Sequence, residues 1–313
     1  MKKLLIFLAL LISLQGFGQT VLRSGTTVLT SGGVVLTQTY ETESNAIFAA
    51  MGTDPPYARK VLIDNLVKGL KDDGVWTLLD FFYMLAAHAE NSSLLNWINP
   101  GTFDATNVSS TAYEVDRGYT GDGANDYLNT NYNPNTDGIN FLQDDASFGC
   151  YIRTNVAEDK YDIGVLDGGD SYIISRWSTD IVYTRINDNN SLNIANIDSR
   201  GFWISNRTGA NIRNLYKNSI SVISEARGST GVPNDDMYIL AGNVGGAALF
   251  STKQIAAAFA GGGMTQTNVD NFTDRLEIYM DAINAGVITE CMWLILLLIP
   301  NIRRKEEEFK IAA

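Results

Sequence analysis

The chain has 313 residues, 45% of them hydrophobic and 19% charged, which is the composition of a folded protein with a sizeable core, neither low-complexity nor disordered throughout. A formal net charge of −12 offers no basic footprint for a nucleic acid. One histidine and two cysteines exclude a histidine-based zinc centre, a four-cysteine or two-cysteine, two-histidine metal site, and a multi-disulfide scaffold.

Residues 1–18 read as a secretory signal peptide. Lys2 and Lys3 supply the positive start, Leu4 to Leu14 the apolar stretch interrupted by Ser13, and Gly16-Phe17-Gly18 the small-x-small cleavage site. The apolar run is too short to cross a ~30 Å hydrocarbon core as a helix, so the expected location is secreted or cell surface. Residues 19–40 carry a short repeat: Val21-Leu22-Arg23-Ser24-Gly25, then Val28-Leu29-Thr30-Ser31-Gly32, then Val35-Leu36-Thr37. Each unit suits a short strand closed by a turn. Such units need neighbours to bury their apolar pairs, which predicts a homo-oligomer, a trimer, wound through this leader; a β-prone leader on a monomer is the alternative. Cys150 and Cys291 are expected as free thiols, because Cys150 falls at a core-facing strand position.

Residues 41–100 read as helical. After Pro55-Pro56, Val61, Leu62, Leu66 and Leu70 mark one helical face that ends at Asp73-Gly74. A second helix is predicted from Val75 through Trp76, Leu79, Phe82, Tyr83 and Ala86, closing at His88. No serine, cysteine or paired acid stands at a telling spacing from His88, so no chemistry is assigned to it.

Residues 101–287 are short strands between Gly, Asn and Asp clusters. Phe148, Cys150 and Ile152 alternate with Gly149 and Tyr151. Tyr172 and Ile174 alternate with Ser171 and Ser175. Val182 and Ile186 flank Thr184, and further runs fall at Phe202-Trp203-Ile204, Leu215-Tyr216, Ile220 to Ile223 and Met237 to Leu240. Antiparallel sheets packed as a sandwich follow, since nothing alternates strand with helix. A closing helix begins at Thr267, with Asp270 three residues on. Its apolar stripe is Val269, Phe272, Leu276, Tyr279, Met280 and Ile283, and Gly286 stops it. Residues 288–313 form a tail, apolar from Cys291 to Ile299 and then charged. It either packs on the sandwich edge or extends a fold that ends near Val287, in which case truncation there leaves the fold intact.

Tyr216-Lys217-Asn218-Ser219-Ile220 resembles the Y-x-N-G-x-x-V hairpin of laminin-G-like, concanavalin A-like jelly rolls, with Ser219 in place of the glycine. The strand and amphipathic helix from Phe250 to Tyr279 are similar to the closing segment of such modules. Ala58-Arg59-Lys60, Gly74-Val75-Trp76, Ala86-Ala87-His88, Asn96-Trp97 and Asp116 to Gly123 resemble phage and prophage structural proteins, in which a helical pair precedes a laminin-G-like sandwich. The resemblance covers about residues 55–287. It implies a mainly β fold, a concanavalin A-like antiparallel jelly-roll β-sandwich with a preceding helical pair and a closing C-terminal helix. It also implies a tail or fibre role, with a virion as the alternative location.

Glycoside hydrolases of concanavalin-like fold place acids on one strand as E-x-D-x-x-E or E-x-D-x-E; no such motif occurs, and Glu114, Glu158 and Glu225 are scattered. The chain is therefore expected not to be an enzyme and to need no cofactor. Asp122 and Asp126, in Asp122-Gly123-Ala124-Asn125-Asp126, offer hard oxygen ligands for calcium or form an acidic turn. Trp177, Tyr183 and Trp203 are predicted on the strand face opposite the aliphatic core, where a flat ring stacks on a sugar. The functional expectation is a non-enzymatic structural or adhesion module that binds a cell-surface glycan. A secreted concanavalin-like carbohydrate-active enzyme and a host cell-surface protein of prophage origin are the alternatives.

Overall fold

A computed structural model describes residues 38–288, together with the backbone of two short strands, β1 (Leu29–Ser31) and β2 (Val34–Leu36). These strands pair antiparallel, Leu29 opposite Leu36, so this part of the repeat makes a hairpin. Residues 1–18, read above as a signal peptide, the first repeat unit, Cys291 and the rest of the tail after Ile288 lie outside the described residues.

Helix α1 spans Thr42–Ala50 and α2 spans Tyr57–Asp72, directly after Pro55-Pro56. Pro56 suits the start of α2 because its fixed φ is already helical and the missing N–H is needed by no partner there. Ile63, Leu66, Val67 and Leu70 recur at three and four and are all buried. Gly74, at φ 70°, turns the chain out of the helix while the Val75 N–H reaches back to the Leu70 carbonyl at 2.9 Å.

The second helix predicted over 75–88 is not formed. One 3-10 turn, Trp76–Leu78, leads into strand β3 (Leu79–Tyr83), and His88 lies beyond it, its Nε2 2.9 Å from the Thr53 carbonyl. The helical pair is α1 with α2. All five residues of β3 are buried; Phe82 faces one apolar core and Phe81 and Tyr83 the other. A run buried on both faces carries no two-residue alternation to distinguish it from a helix. Asp80 within it accepts from the Tyr132 hydroxyl at 2.8 Å and from the N–H groups of Asn140 and Phe141 at 2.9 and 3.0 Å, which satisfies the buried carboxylate.

The strands that follow are β4 (Thr106–Val108), β5 (Ala112–Glu114), β6 (Gly118–Thr120) and β7 (Tyr127–Asn129). A single helical turn, α3 (Pro134–Asp137), precedes β8 (Ala146–Ile152), β9 (Ile163–Val165), β10 (Ser171–Ile174), β11 (Ile181–Arg185) and β12 (Leu192–Ala195). Next come β13 (Gly201–Gly209), β14 (Ile212–Lys217), β15 (Ile220–Glu225), β16 (Tyr238–Ile239), β17 (Gly242–Asn243), β18 (Ala247–Ala248) and β19 (Gln254–Gly261). Helix α4 (Gln266–Ala282) closes the fold. Its N-cap is Thr265, in a capping box with Asn268, two residues before the expected Thr267. The expected stripe from Val269 to Ile283 is buried as read.

Two sheets result. One has eight strands, β15-β14-β13-β8-β19-β6-β5 with β3 also against β19; the other has nine, β12-β11-β10-β9-β16-β7-β4 with β17 and β18. Pairing is antiparallel apart from a short parallel contact of β17 with β9. The protein is thus a mainly β sandwich with a closing helix. Phe148, Cys150, Ile152 and Leu215 meet Ile163, Val165, Ile173 and Val182 between the sheets. On the far side of the eight-stranded sheet, Tyr151, Phe202, Ile204 and Phe259 pack against Leu66, Phe272, Leu276 and Met280 of the helices. The central strands of the eight-stranded sheet, β3, β8, β13 and β19, are therefore covered on both faces. Gly149 in the centre of this sheet is required: a Cβ there would sit 2.0 Å from the Trp203 carbonyl oxygen and 2.9 Å from the Phe259 ring. Cys150 is a buried free thiol, pushed up in pKa by that burial.

Candidate functional site

Among the described residues, α1, α2 and α4 pack on the eight-stranded sheet and leave the outward face of the nine-stranded sheet to its own side chains. Across that sheet Asn129, Tyr238, Gly164, Tyr172 and Arg185 stand opposite one another on β7, β16, β9, β10 and β11. Their chain neighbours Leu128, Ile239, Ile163, Ile173 and Ile186 enter the core between the sheets, so this row points outward by strand alternation.

The outward face carries rings in three groups. Tyr127 lies 4.6 Å from Tyr238 and 6.1 Å from Phe250, Tyr161 lies edge-on to Tyr172 at 5.1 Å, and Trp177 lies edge-on to Tyr183 at 5.4 Å. These separations are those of aromatic pairs in favourable tilted or edge geometries. Tyr172 is the covered member: it is buried, with the Arg185 guanidinium 5.3 Å over its ring and its hydroxyl 2.8 Å from Ser191 Oγ. Arg185 also pairs with Asp170 and donates to Ser191 Oγ at 3.2 Å. The other rings are partly exposed. Burial, and then the neighbouring Tyr127, push the Tyr238 phenol up to about 12, and burial raises Tyr161 and Tyr172 as well. These hydroxyls therefore stay protonated at neutral pH, able both to donate and to accept.

Of the predicted aromatic residues, Trp177 and Tyr183 are brought together on this face; the Trp177 backbone N–H donates to the Ile181 carbonyl at 2.7 Å, closing the hairpin between β10 and β11. Trp203 is not there. It is 1% exposed, sits between the sheets opposite Cys150, and donates its Nε1–H to the Ser199 carbonyl at 2.8 Å with the Lys217 ammonium 4.9 Å over the ring. The alternation was right, but on β13 the face opposite Trp203, which holds Phe202 and Ile204, is the one under the helices. Trp203 faces the sandwich core.

Asp122 and Asp126 are brought together in the turn between β6 and β7. Asp122 Oδ1 accepts the N–H groups of Ala124, Asn125 and Asp126 at 2.8, 3.0 and 3.1 Å, and these bonds hold its carboxyl below the usual range. Asp126 is buried, and desolvation followed by the Asp122 charge raises its pKa. This is the geometry of an Asx-capped turn. Among the described residues no three His, Cys, Asp or Glu side chains gather as a metal-binding group.

Sequence reasoning missed Tyr127, Tyr161, Tyr238 and Phe250. The available signal was an aromatic beside a core aliphatic, as in Tyr127-Leu128 and Tyr238-Ile239, but strands of two or three residues are too short to show a period. Two surface clefts lie elsewhere, one of about 350 Å³ between α2 and α4 lined by Leu62, Leu66, Arg275 and Ile278, the other of about 560 Å³ beside Thr53, Glu90 and Tyr119.

No protein-family model matches the chain, and no curated protein matches it in sequence. Among solved structures, the receptor-binding domain of botulinum neurotoxin C/D mosaic serotype is similar at 9% identity over 64% of this chain and 51% of that one, with a TM-score of 0.47. The botulinum neurotoxin serotype D binding domain is similar at 9% identity over 65% and 52%, with a TM-score of 0.44. The Trypanosoma rangeli sialidase in complex with sialic acid is similar at 9% identity over 74% and 40%, with a TM-score of 0.45. The chain spans about half the length of the first two and less of the third. At these overlaps no residue or ligand is carried across.

Proposed function

We propose that the protein is a non-enzymatic adhesion or structural module that binds glycan on the outward face of its nine-stranded sheet. The observation that supports this reading is the gathering of partly exposed rings there, on a sheet face against which no helix packs among the described residues, with Asn129, Arg185 and Ser191 beside them as hydrogen-bonding groups. Rings of this kind stack on the apolar face of a pyranose while polar neighbours bind its hydroxyls. A tail or fibre role, suggested by the phage-type resemblance, and a cell-surface or secreted location, suggested by the signal-peptide-like residues 1–18, are parts of this proposal; either setting suits a glycan partner.

The test is a glycan array probed with the full chain, with and without calcium. Binding that Tyr238→Ala lowers at least tenfold supports the reading; release of new reducing ends from the bound glycan replaces it with a carbohydrate-active enzyme. Calcium is expected to leave binding unchanged, since Asp122 is engaged by three backbone N–H groups. The leader is proposed to form a trimer. Size exclusion with light scattering should give three copies for the full chain and one for a chain starting at Glu41, and one copy for both contradicts the trimer.

A further inference from the structure

We infer that this face binds the interior of an extended, neutral polysaccharide lying across the strands, rather than a single terminal sugar; the inference rests on the glycan-binding reading above. The spacing of the rings carries it. Tyr127 stands on β7, Tyr238 on β16 and Tyr183 on β11, with β9 and β10 between the last two. Neighbouring strands are about 4.8 Å apart, so the four steps from β7 to β11 make a platform about 19 Å long perpendicular to the strands. That is a length for several consecutive pyranose rings. The partly exposed rings are distributed along it, Tyr127, Tyr238 and Phe250 at one end and Trp177 and Tyr183 at the other, with Tyr161 between. A pocket for one terminal sugar would converge its rings on one point. These are spread in a line.

The charge of the platform selects the chemistry. Its two arginines are already paired, Arg185 with Asp170 and Arg176 with Asp180 at 2.7 Å, and Asp235 and Asp236 adjoin Tyr238. The whole chain carries −12. An anionic polysaccharide would meet the carboxylates of Asp170, Asp180, Asp235 and Asp236, with Lys160, next to Tyr161 in the chain, as the cation here outside those two ion pairs, so like charge outweighs it. The hydroxyls of a neutral glycan are donors, and carboxylates and phenols accept them.

The test uses the full chain on an array of linear polysaccharides, neutral (glucans, mannans, xylans, galactans) and acidic (polygalacturonate, alginate, hyaluronate). Oligosaccharides of one to six units from the polysaccharide bound best then serve as titrants. The expected result is binding to a neutral polymer, with affinity rising at least tenfold from two units to four and levelling beyond that. Tyr127→Ala and Tyr183→Ala, at opposite ends, should each lower affinity for four units at least fivefold while changing affinity for one unit less than twofold. Binding confined to acidic polymers, or a monosaccharide that competes as well as the four-unit chain, overturns the inference and leaves the glycan-binding reading standing. Binding to no glycan on this array or on the broader one overturns both.

Discussion

The two sheets are built from the same alternating strands and put their aromatic residues to opposite uses. In the eight-stranded sheet, Phe202, Phe259 and Tyr151 face helices, and Phe272 of α4 lies 5.1 Å from Phe202, 4.9 Å from Phe259 and 5.6 Å from Phe82. In the nine-stranded sheet, Tyr127 pairs with Tyr238, Tyr161 with Tyr172 and Tyr183 with Trp177, and all of these but Tyr172 remain partly exposed. What separates them is the layer above. Where a helix lies over the sheet, a ring's area leaves water and stabilises the fold; where none does, the same area is available to a ligand.

The largest expected effect falls on the covered side. Phe272→Ala removes the ring at the centre of four and should cost about 3–5 kcal/mol, read as a lowered midpoint in urea with unchanged slope. A loss under about 1 kcal/mol would mean that α4 is not the cover described here.

Next comes the ionic tie between the sheets. Lys253, beside β19, and Asp162, beside β9, are both fully buried with Nζ 2.8 Å from Oδ1. The second Asp162 oxygen accepts the Ser175 N–H at 2.6 Å. Lys253→Met strands a buried carboxylate and should cost about 3 kcal/mol, and adding Asp162→Asn should restore much of that loss. Equal melts for the single and double variants would show that the charge of Asp162 is not what matters.

The smallest effect is on the open side and depends on pH. Tyr238 is neutral when protonated and its folded pKa is raised to about 12, above its unfolded value near 10. Its contribution is therefore fully present below pH 10 and is lost as pH rises from there through 12. Tyr238→Phe should flatten that part of the alkaline stability profile and leave it unchanged at neutral pH; an unchanged alkaline slope would contradict the shift.

How legible this was in the sequence also follows the layers. The strands at 146–152, 171–174, 201–209 and 212–217 could be read because Gly, Asn and Asp clusters bound them, and the α4 stripe because a helix wet on one side shows its period. β3 was misread as helix and Trp203 as exposed for one reason: both lie in central strands buried on two faces, where apolar residues are continuous and alternation no longer says which side is wet. Of the aromatic platform, Trp177 and Tyr183 were legible, since β11 is five residues long and alternates in burial. Tyr161, Tyr238 and Phe250 join it only through pairings between segments distant in the chain, such as β16 with β9, and local pattern does not encode these.

The most direct measurement sets Trp203→Ala against the double variant Trp177→Ala, Tyr183→Ala, scoring each for unfolding free energy and for binding to the polysaccharide the full chain selects. Trp203→Ala should lose about 3–5 kcal/mol of stability. The double variant should lose less than about 1 kcal/mol yet bind at least tenfold more weakly, a difference of about 1.4 kcal/mol or more in binding. A double variant that binds as well as the original chain, or that loses as much stability as Trp203→Ala, contradicts the division of the molecule into a covered sheet that holds the fold and an open sheet that meets the ligand.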